Sequence, residues 1–197
     1  MGTPRTATVT RETKETQIEV QLNLDGQGVY TINTGIPFFN HLLELFAKHG
    51  RFDLTIHAEG DIEVDFHHLV EDTGITMGTA FKKALGAKGG IKRYSSMYTP
   101  MDEALLRASV DLSGRPYLHY GVEIHDPVVV HFNTNLIEEF VRAFVFSAEI
   151  TLHVDLIRGK NAHHIVEAVC KGIARTLYEA SEVLYPEDDI PSTKGVL

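Results

Sequence analysis

The chain has 197 residues and a formal net charge of −9, with 43% hydrophobic and 23% charged residues. That length fits one moderate domain or two small fused repeats, with enough apolar material for a sizeable core. The acidic balance excludes a general nucleic-acid binder, which needs a basic surface for phosphate backbones, although a few Arg and Lys can still converge on one phosphorylated small molecule.

From the N-terminus, Met1-Gly2-Thr3-Pro4-Arg5-Thr6 matches a myristoylation pattern in form. The pattern is short and Pro4 sits inside it, so it is set aside. Residues 5–24 read as strand, Gly26-Gln27-Gly28 as a turn and 29–33 as a second strand. Pro37 opens a helix from Phe38 to His49, with Phe39, Leu42, Leu43, Leu45 and Phe46 at helical spacing. Phe52 to Ala58 alternates as a strand does, Gly60-Asp61 turns, and 62–65 predicts a short strand before a helix from His67 to Leu85. Residues 86–99, with Gly86, Gly89, Gly90, Lys92 and Arg93, read as the connection between two halves. Strands follow near 104–112 and 117–124, then helix 134–147, strand 149–156 and helix 163–184, with Asn161 as its cap. The single Cys170 excludes an internal disulfide, fits a reducing compartment, and sits among Ala168, Val169 and Ile173 as a buried helical thiol. No apolar run approaches the roughly 20 residues of a membrane span and no secretory h-region precedes the first strand, so a cytoplasmic location is expected.

One pentapeptide occurs twice, as His67-His68-Leu69-Val70-Glu71 and, 96 positions later, His163-His164-Ile165-Val166-Glu167. On a helix, residues four apart share a face, so His67 and Glu71 can grip one metal ion. His68 points about 100° away around the axis and can reach a second. Imidazole and carboxylate donors suit manganese, iron or zinc. One copy alone is equally a pair of surface histidines; two in matching context favour the metal. The same offset relates Thr55-Ile56-His57 to Thr151-Leu152-His153 and Asp53 to Glu149. Upstream, Glu15 to Gly26 parallels Glu103 to Gly114 at an offset of 88. Each half therefore reads as strands, helix, strand, helix, an α+β unit built twice.

The repeat sets His41 opposite Glu139, completing eight donors with His67, His68, Glu71, His163, His164 and Glu167, enough for two ions with open positions. Alone, His41 reads as an ordinary helix histidine and Glu139 as a solvated carboxylate. Arg93, Arg115 in Ser113-Gly114-Arg115-Pro116, Lys171 and Lys194 each read individually as surface charge, though Arg in a Gly/Pro-bounded turn suits phosphate. Glu15, Arg93, Arg115, Lys171 and the tail have no clear mirrored set, as one small asymmetric substrate requires.

The combination of Arg11-x-Thr13-x-Glu15-Thr16, Asn40-His41-Leu42, both pentapeptides, Asp111 to Tyr117 and Pro191-Ser192-Thr193-Lys194-Gly195-Val196 resembles the imidazoleglycerol-phosphate dehydratase family across essentially the whole chain. The resemblance implies an internally duplicated α+β fold, each half a four-stranded sheet covered by two helices (the ribosomal protein S5 domain 2-like class). Residues 1–91 and 92–185 would be the two repeats, and 186–197 a tail closing on the active site. It implies a cytoplasmic homo-oligomer of 24 subunits with two manganese ions per interface site. The ligands would be His41, His67, His68, Glu71, His163, His164 and Glu167, with Glu139 where some relatives carry a histidine. Phe66 stands where many relatives have an aspartate.

The implied reaction is a hydro-lyase step of histidine biosynthesis. Imidazoleglycerol phosphate loses water to give imidazole acetol phosphate, while a dinuclear centre binds the substrate imidazole. Glu15 would be the base, Glu167 a proton relay, and Asp102 and His49 supporting groups. Glu15, His41, His49, Arg93, Arg115, Lys171, Ser192, Thr193 and Lys194 would contact substrate, the basic residues and tail holding its phosphate. Without the resemblance, Glu15 reads as an exposed strand carboxylate. Two alternatives share these residues: a binuclear metal-dependent phosphate-ester hydrolase, and a metal-stapled shell protein without catalysis.

Overall fold

A computed structural model describes residues 4–195 and 197. The start of the myristoylation match, residues 1–3, and Val196 of the tail motif lie outside the described residues. Ten strands and four helices follow in chain order: β1 Thr6–Glu12, β2 Thr16–Asn23, β3 Tyr30–Asn33, α1 Pro37–Gly50, β4 Asp53–Gly60, α2 His67–Leu85, β5 Tyr94–Met101, β6 Ala104–Asp111, β7 Tyr117–Gly121, β8 Val128–Val129, β9 Phe132–Asn133, α3 Asn135–Ala148, β10 Thr151–Arg158 and α4 Ala162–Ser181. No helix among the described residues is long and apolar enough to cross a membrane.

The duplication is visible in the pairing. One sheet has the order β1-β2-β4-β3 and the other β5-β6-β10-β7, each with three antiparallel strands and a parallel edge strand. Alternation decides the inward face. Thr16, Ile18, Val20 and Leu22 point inward from β2, and Ala104, Leu106, Ala108 and Val110 from β6. Helix α2 covers β1 and β2, α4 covers β5 and β6, and the helices also pack across the halves, α2 on α3 and α1 on α4. One continuous core results, running through Phe39, Phe52, Phe81, Phe132 and Phe144. Each half thus buries part of its apolar surface on the other.

Several local expectations change. Residues 5–24 are a hairpin of two strands, because Thr13 to Thr16 turn the chain: the Thr13 N–H donates to the Thr16 carbonyl at 2.9 Å. Residues 62–65 form turns, not a strand. The connection between halves ends earlier than expected, since β5 begins at Tyr94 and pairs along β6 as β1 pairs along β2. Helix α4 stops at Ser181, short of 184. The repeat register also shifts within the second half. Asn23 pairs with Asp53 and Asp111 with Thr151, so Asp53 corresponds to Thr151 at an offset of 98, not to Glu149. Glu149 corresponds instead to Arg51; both end a 14-residue helix in the left-handed region, at φ 53° and 56°. The offset returns to 96 at the pentapeptides because the loop before α2 is longer than the loop before α4. The 96-residue match of Thr55 to Thr151 arose from two similar alternating strands read one pleat out of step.

Candidate metal centre and active site

Both pentapeptides open a helix, where side chains of the first turn project beyond the packed layer. Asn161 caps α4, its side-chain oxygen accepting the His163 and His164 N–H groups. Asp65 does the equivalent for α2, accepting the His67 N–H at 2.7 Å. These caps orient the pairs, and the two histidines of a pair diverge as helical spacing requires: the His67 and His68 rings stand at 84°.

The first histidine of each pair faces its glutamate. His163 Nε2 lies 3.0 Å from Glu167 Oε1, and His67 Nε2 lies 3.8 Å from Glu71 Oε2. His41, from α1, brings its own Nε2 to the same Glu167 oxygen at 3.0 Å. Among the described residues, His41, His163 and Glu167 are the one group whose ligand atoms all lie within 4.8 Å of one another. An ion with bonds of about 2.1 Å spaces adjacent ligands about 3 Å apart, so this convergence fits a divalent metal. The repeat counterpart of His41 is Glu139, part-buried on α3, the helix packed on α2. It is not within ligand distance of His67 and Glu71 in a cluster of that kind.

The second histidines face the sheet turns, and each has a carboxylate on Nδ1. For His68 it is Asp61, at 3.0 Å, with Glu15 at 3.9 Å. For His164 it is Glu103, at 2.7 Å, with Asp102 at 3.6 Å from Nε2. A carboxylate on Nδ1 fixes the N–H there and leaves Nε2, which makes no hydrogen bond among the described residues, as the ligand atom. Both imidazoles are held above the ordinary histidine range, chiefly by the hydrogen bonds to Asp61 and Glu103. Glu103 is held down to about 2 by His164 and by the Asn161 and Lys160 N–H groups. Burial pushes the Glu167 carboxyl up, but Lys171, His41 and His163 outweigh it and hold it at about 2.

Asp61 and Glu103 escape the sequence reading, and Glu103 corrects it. Glu15 does have a mirrored residue: Glu103 holds the same place in the β5–β6 turn as Glu15 in the β1–β2 turn. The 88-residue offset already aligned the two, and the missing signal was contact with His164. Asp65, Phe66, His67 and His131 line a shallow depression beside α2, so His131 is a further unexpected neighbour. Phe66 stacks on Phe132 with ring centroids 6.3 Å apart.

The basic residues separate into two groups. Lys171 belongs with the His41–His163–Glu167 group, its Nζ 2.7 Å from Glu167 Oε2. His49, two turns beyond His41, is held below the ordinary histidine range by burial and by Lys171 and Arg175. Arg93 and Arg115 instead gather at Asp111, at 2.7 Å and 3.6 Å. Arg93 also donates to the Pro191 carbonyl at 2.6 Å, tying the tail with Ser192, Thr193 and Lys194 to that end. Glu103, which holds His164, and Asp111 stand at opposite ends of β6, roughly 25 Å apart along an eight-residue strand, and Lys171 touches Met101 at the Glu103 end, so the two groups lie toward opposite ends of that strand. Cys170 is buried, with its thiol pushed up to about 12.

The family model for Imidazoleglycerol-phosphate dehydratase matches residues 34–177. A protein of that name from Caldanaerobacter subterraneus subsp. tengcongensis is 56% identical over 98% of this chain and 100% of its own length. Another from Desulfotalea psychrophila is 51% identical, over 98% and 96%. The crystal structure of imidazoleglycerol-phosphate dehydratase from Staphylococcus aureus superposes with a TM-score of 0.82 at 40% identity, covering 92% of this chain and 99% of that one. The enzyme from Pyrococcus furiosus gives 0.81 at 36%, covering 96% and 100%.

Proposed function

The chain belongs to the imidazoleglycerol-phosphate dehydratase family, and on that premise we propose how its residues perform the dehydration. The enzyme is a hydro-lyase of histidine biosynthesis, converting imidazoleglycerol phosphate to imidazole acetol phosphate and water. The observation that carries the site assignment is the convergence of His41, His163 and Glu167 on one point.

His41, His163 and Glu167 hold one ion in this reading, and His67 and Glu71, with Glu139, begin a second. His68 and His164 offer their Nε2 atoms, which their Nδ1 partners leave free. The donor set suits two manganese ions. Bound metal supplies Lewis acidity and a docking point for the substrate imidazole. The chain's own residues supply the rest. Glu15, exposed at a turn tip and 3.9 Å from His68, takes the proton from C2. The C3–O bond breaks, the leaving hydroxyl takes up a proton equivalent to the one removed from C2 and departs as water, and the resulting enol becomes the ketone by losing its O–H proton and gaining one at C3. Glu167 relays a proton, shielded from water by its burial and paired with Lys171. Asp102 and His49 support the adjoining histidine and lysine.

Phosphate recognition falls to Arg93, Arg115 and Lys171, with Ser192, Thr193 and Lys194 of the tail closing over it. Arg93 and Arg115 lie a strand length from the His41–His163–Glu167 group of their own chain, which supports a complete site formed between copies. That geometry supports an assembly with interface sites, for which the proposal is 24 subunits in the cytoplasm. The deciding experiment is metal analysis of the purified protein with an assay of imidazoleglycerol phosphate before and after chelation. Ketone formation that requires metal, with phosphate retained on the product, is expected. Release of inorganic phosphate would favour a hydrolase, and metal-loaded protein without turnover would favour a purely structural role.

A further inference from the structure

The two turns at the metal-binding end occupy equivalent places, Thr13-Lys14-Glu15-Thr16 in the first half and Met101-Asp102-Glu103-Ala104 in the second. Their glutamates are held differently. Glu103 is fully engaged: it accepts from His164 Nδ1 at 2.7 Å and from the Lys160 and Asn161 N–H groups at 3.1 and 2.8 Å. The short loop before α4 presents those N–H groups to it and carries no carboxylate of its own for His164. The longer loop before α2 brings Asp61, which takes His68 Nδ1 at 3.0 Å. Glu15 is thereby released from the role that occupies Glu103, and its side chain stands 54% exposed beside the same imidazole.

A released side chain on a turn tip needs its backbone fixed by something else, and one buried carboxylate provides this. Asp72, on α2 next to Glu71, is buried and accepts from Thr16 Oγ1 at 2.6 Å. The Arg11 guanidinium lies 2.8 Å from its other oxygen, as an ion pair rather than an aligned hydrogen bond. Thr13 completes the turn, its hydroxyl accepting the N–H groups of Glu15 and Thr16 at 3.1 and 2.9 Å. The second half has lost this whole set. Asp72, Thr16 and Arg11 correspond there to Ala168, Ala104 and Thr99, and the buried Thr99 hydroxyl has no partner among the described residues.

We propose that Asp72 is a positioning residue for the dehydration: through Thr16 and Arg11 it locks the 13–16 turn to the metal-binding helix, so that the Glu15 carboxylate stays free of hydrogen bonds yet fixed beside His68. The proposal rests on the reading of Glu15 as the base, and adds the residue that makes a free glutamate a placed one. A burial-matched carboxylate is needed because a neutral residue would leave Arg11 uncompensated against the helix.

The test uses metal-loaded, assembled enzyme. Asp72→Asn and Thr16→Val are expected to lower kcat on the order of 10- to 100-fold through misplacement of Glu15, with metal content, assembly and KM unchanged. Thr16→Ser, which keeps the hydroxyl, restores turnover. Because Asp72 acts through Glu15, adding Asp72→Asn to Glu15→Gln should cost little beyond Glu15→Gln alone. Hydrogen exchange at the Glu15 and Thr16 amides should quicken in both anchor variants. Independent losses in the double variant, or unchanged exchange at the turn, would overturn the anchor. Glu15→Gln enzyme that binds both metals and keeps full turnover would overturn the base assignment instead, leaving exchange to judge the anchor. If Asp72→Asn does not fold, the Thr16 pair carries the same comparison.

Discussion

Asp53 shows how much a single carboxylate can organise. Its Oδ1 accepts the Gln27 and Val29 N–H groups at 2.9 and 3.0 Å and so closes the loop between β2 and β3. The Val29 N–H, against the opposing effect of burial and with help from Gln27 and Asn23, holds the carboxyl below its ordinary 3.8. A depressed folded-state value means stability that is present above 3.8 and is lost as pH falls below it. Urea melts from about pH 5 to about pH 3 should therefore show Asp53→Asn losing less stability than the unmodified protein. Equal acid losses would show that the loop does not depend on this charge. The residue types at the site, by contrast, were readable from spacing: the fourfold step puts His163 over Glu167 on any α-helix. What spacing cannot say is that His41, 126 residues away in sequence, turns Nε2 onto the same oxygen.

At the scale of elements, the contact between α2 and α3 is the tightest constraint. A Cβ on Gly74 would come 2.7 Å from the Phe140 carbonyl oxygen, and one on Gly78 would come 2.4 Å from that of Phe144. Both opposing atoms are backbone, so no rotamer change relieves the clash. Gly78→Ala gains about 1 kcal/mol of helix propensity but forces the helices apart, at a cost of up to about 3 kcal/mol. A net loss of about 2 kcal/mol is expected in denaturant melts; a stabilised variant would show that the two helices are free to separate. Because α2 carries His67 and Glu71 and α3 carries Glu139, the same spacing sets how far Glu139 stands from the His67–Glu71 pair. The sequence revealed each helix through its own apolar period. It hid β5, because the glycines and the Lys92-Arg93 pair just before it read as loop, whereas pairing along β6 makes it a strand.

For the whole molecule, the decisive feature is the strand length that separates Arg93 and Arg115 from the end of β6 where His41, His163 and Glu167 converge. If one site draws on different chains, Arg115→Ala and Glu167→Gln proteins, each inactive alone, should regain turnover when co-assembled, since random mixing yields roughly a quarter of sites with both elements intact. Mixed assemblies as inactive as their parents would place the whole site within one chain. The duplication, the helices that carry the pentapeptides and the donor chemistry are legible in the residues alone, because periodicity and residue type are local properties that survive translation into structure. Packing alone settles which donors converge, that Glu103 is hydrogen-bonded while the Glu15 carboxylate is not, and that Asp72 ties down the turn. Those outcomes depend on distances between elements remote in sequence, and a shift of two residues in loop length was enough to make two equivalent glutamates unlike.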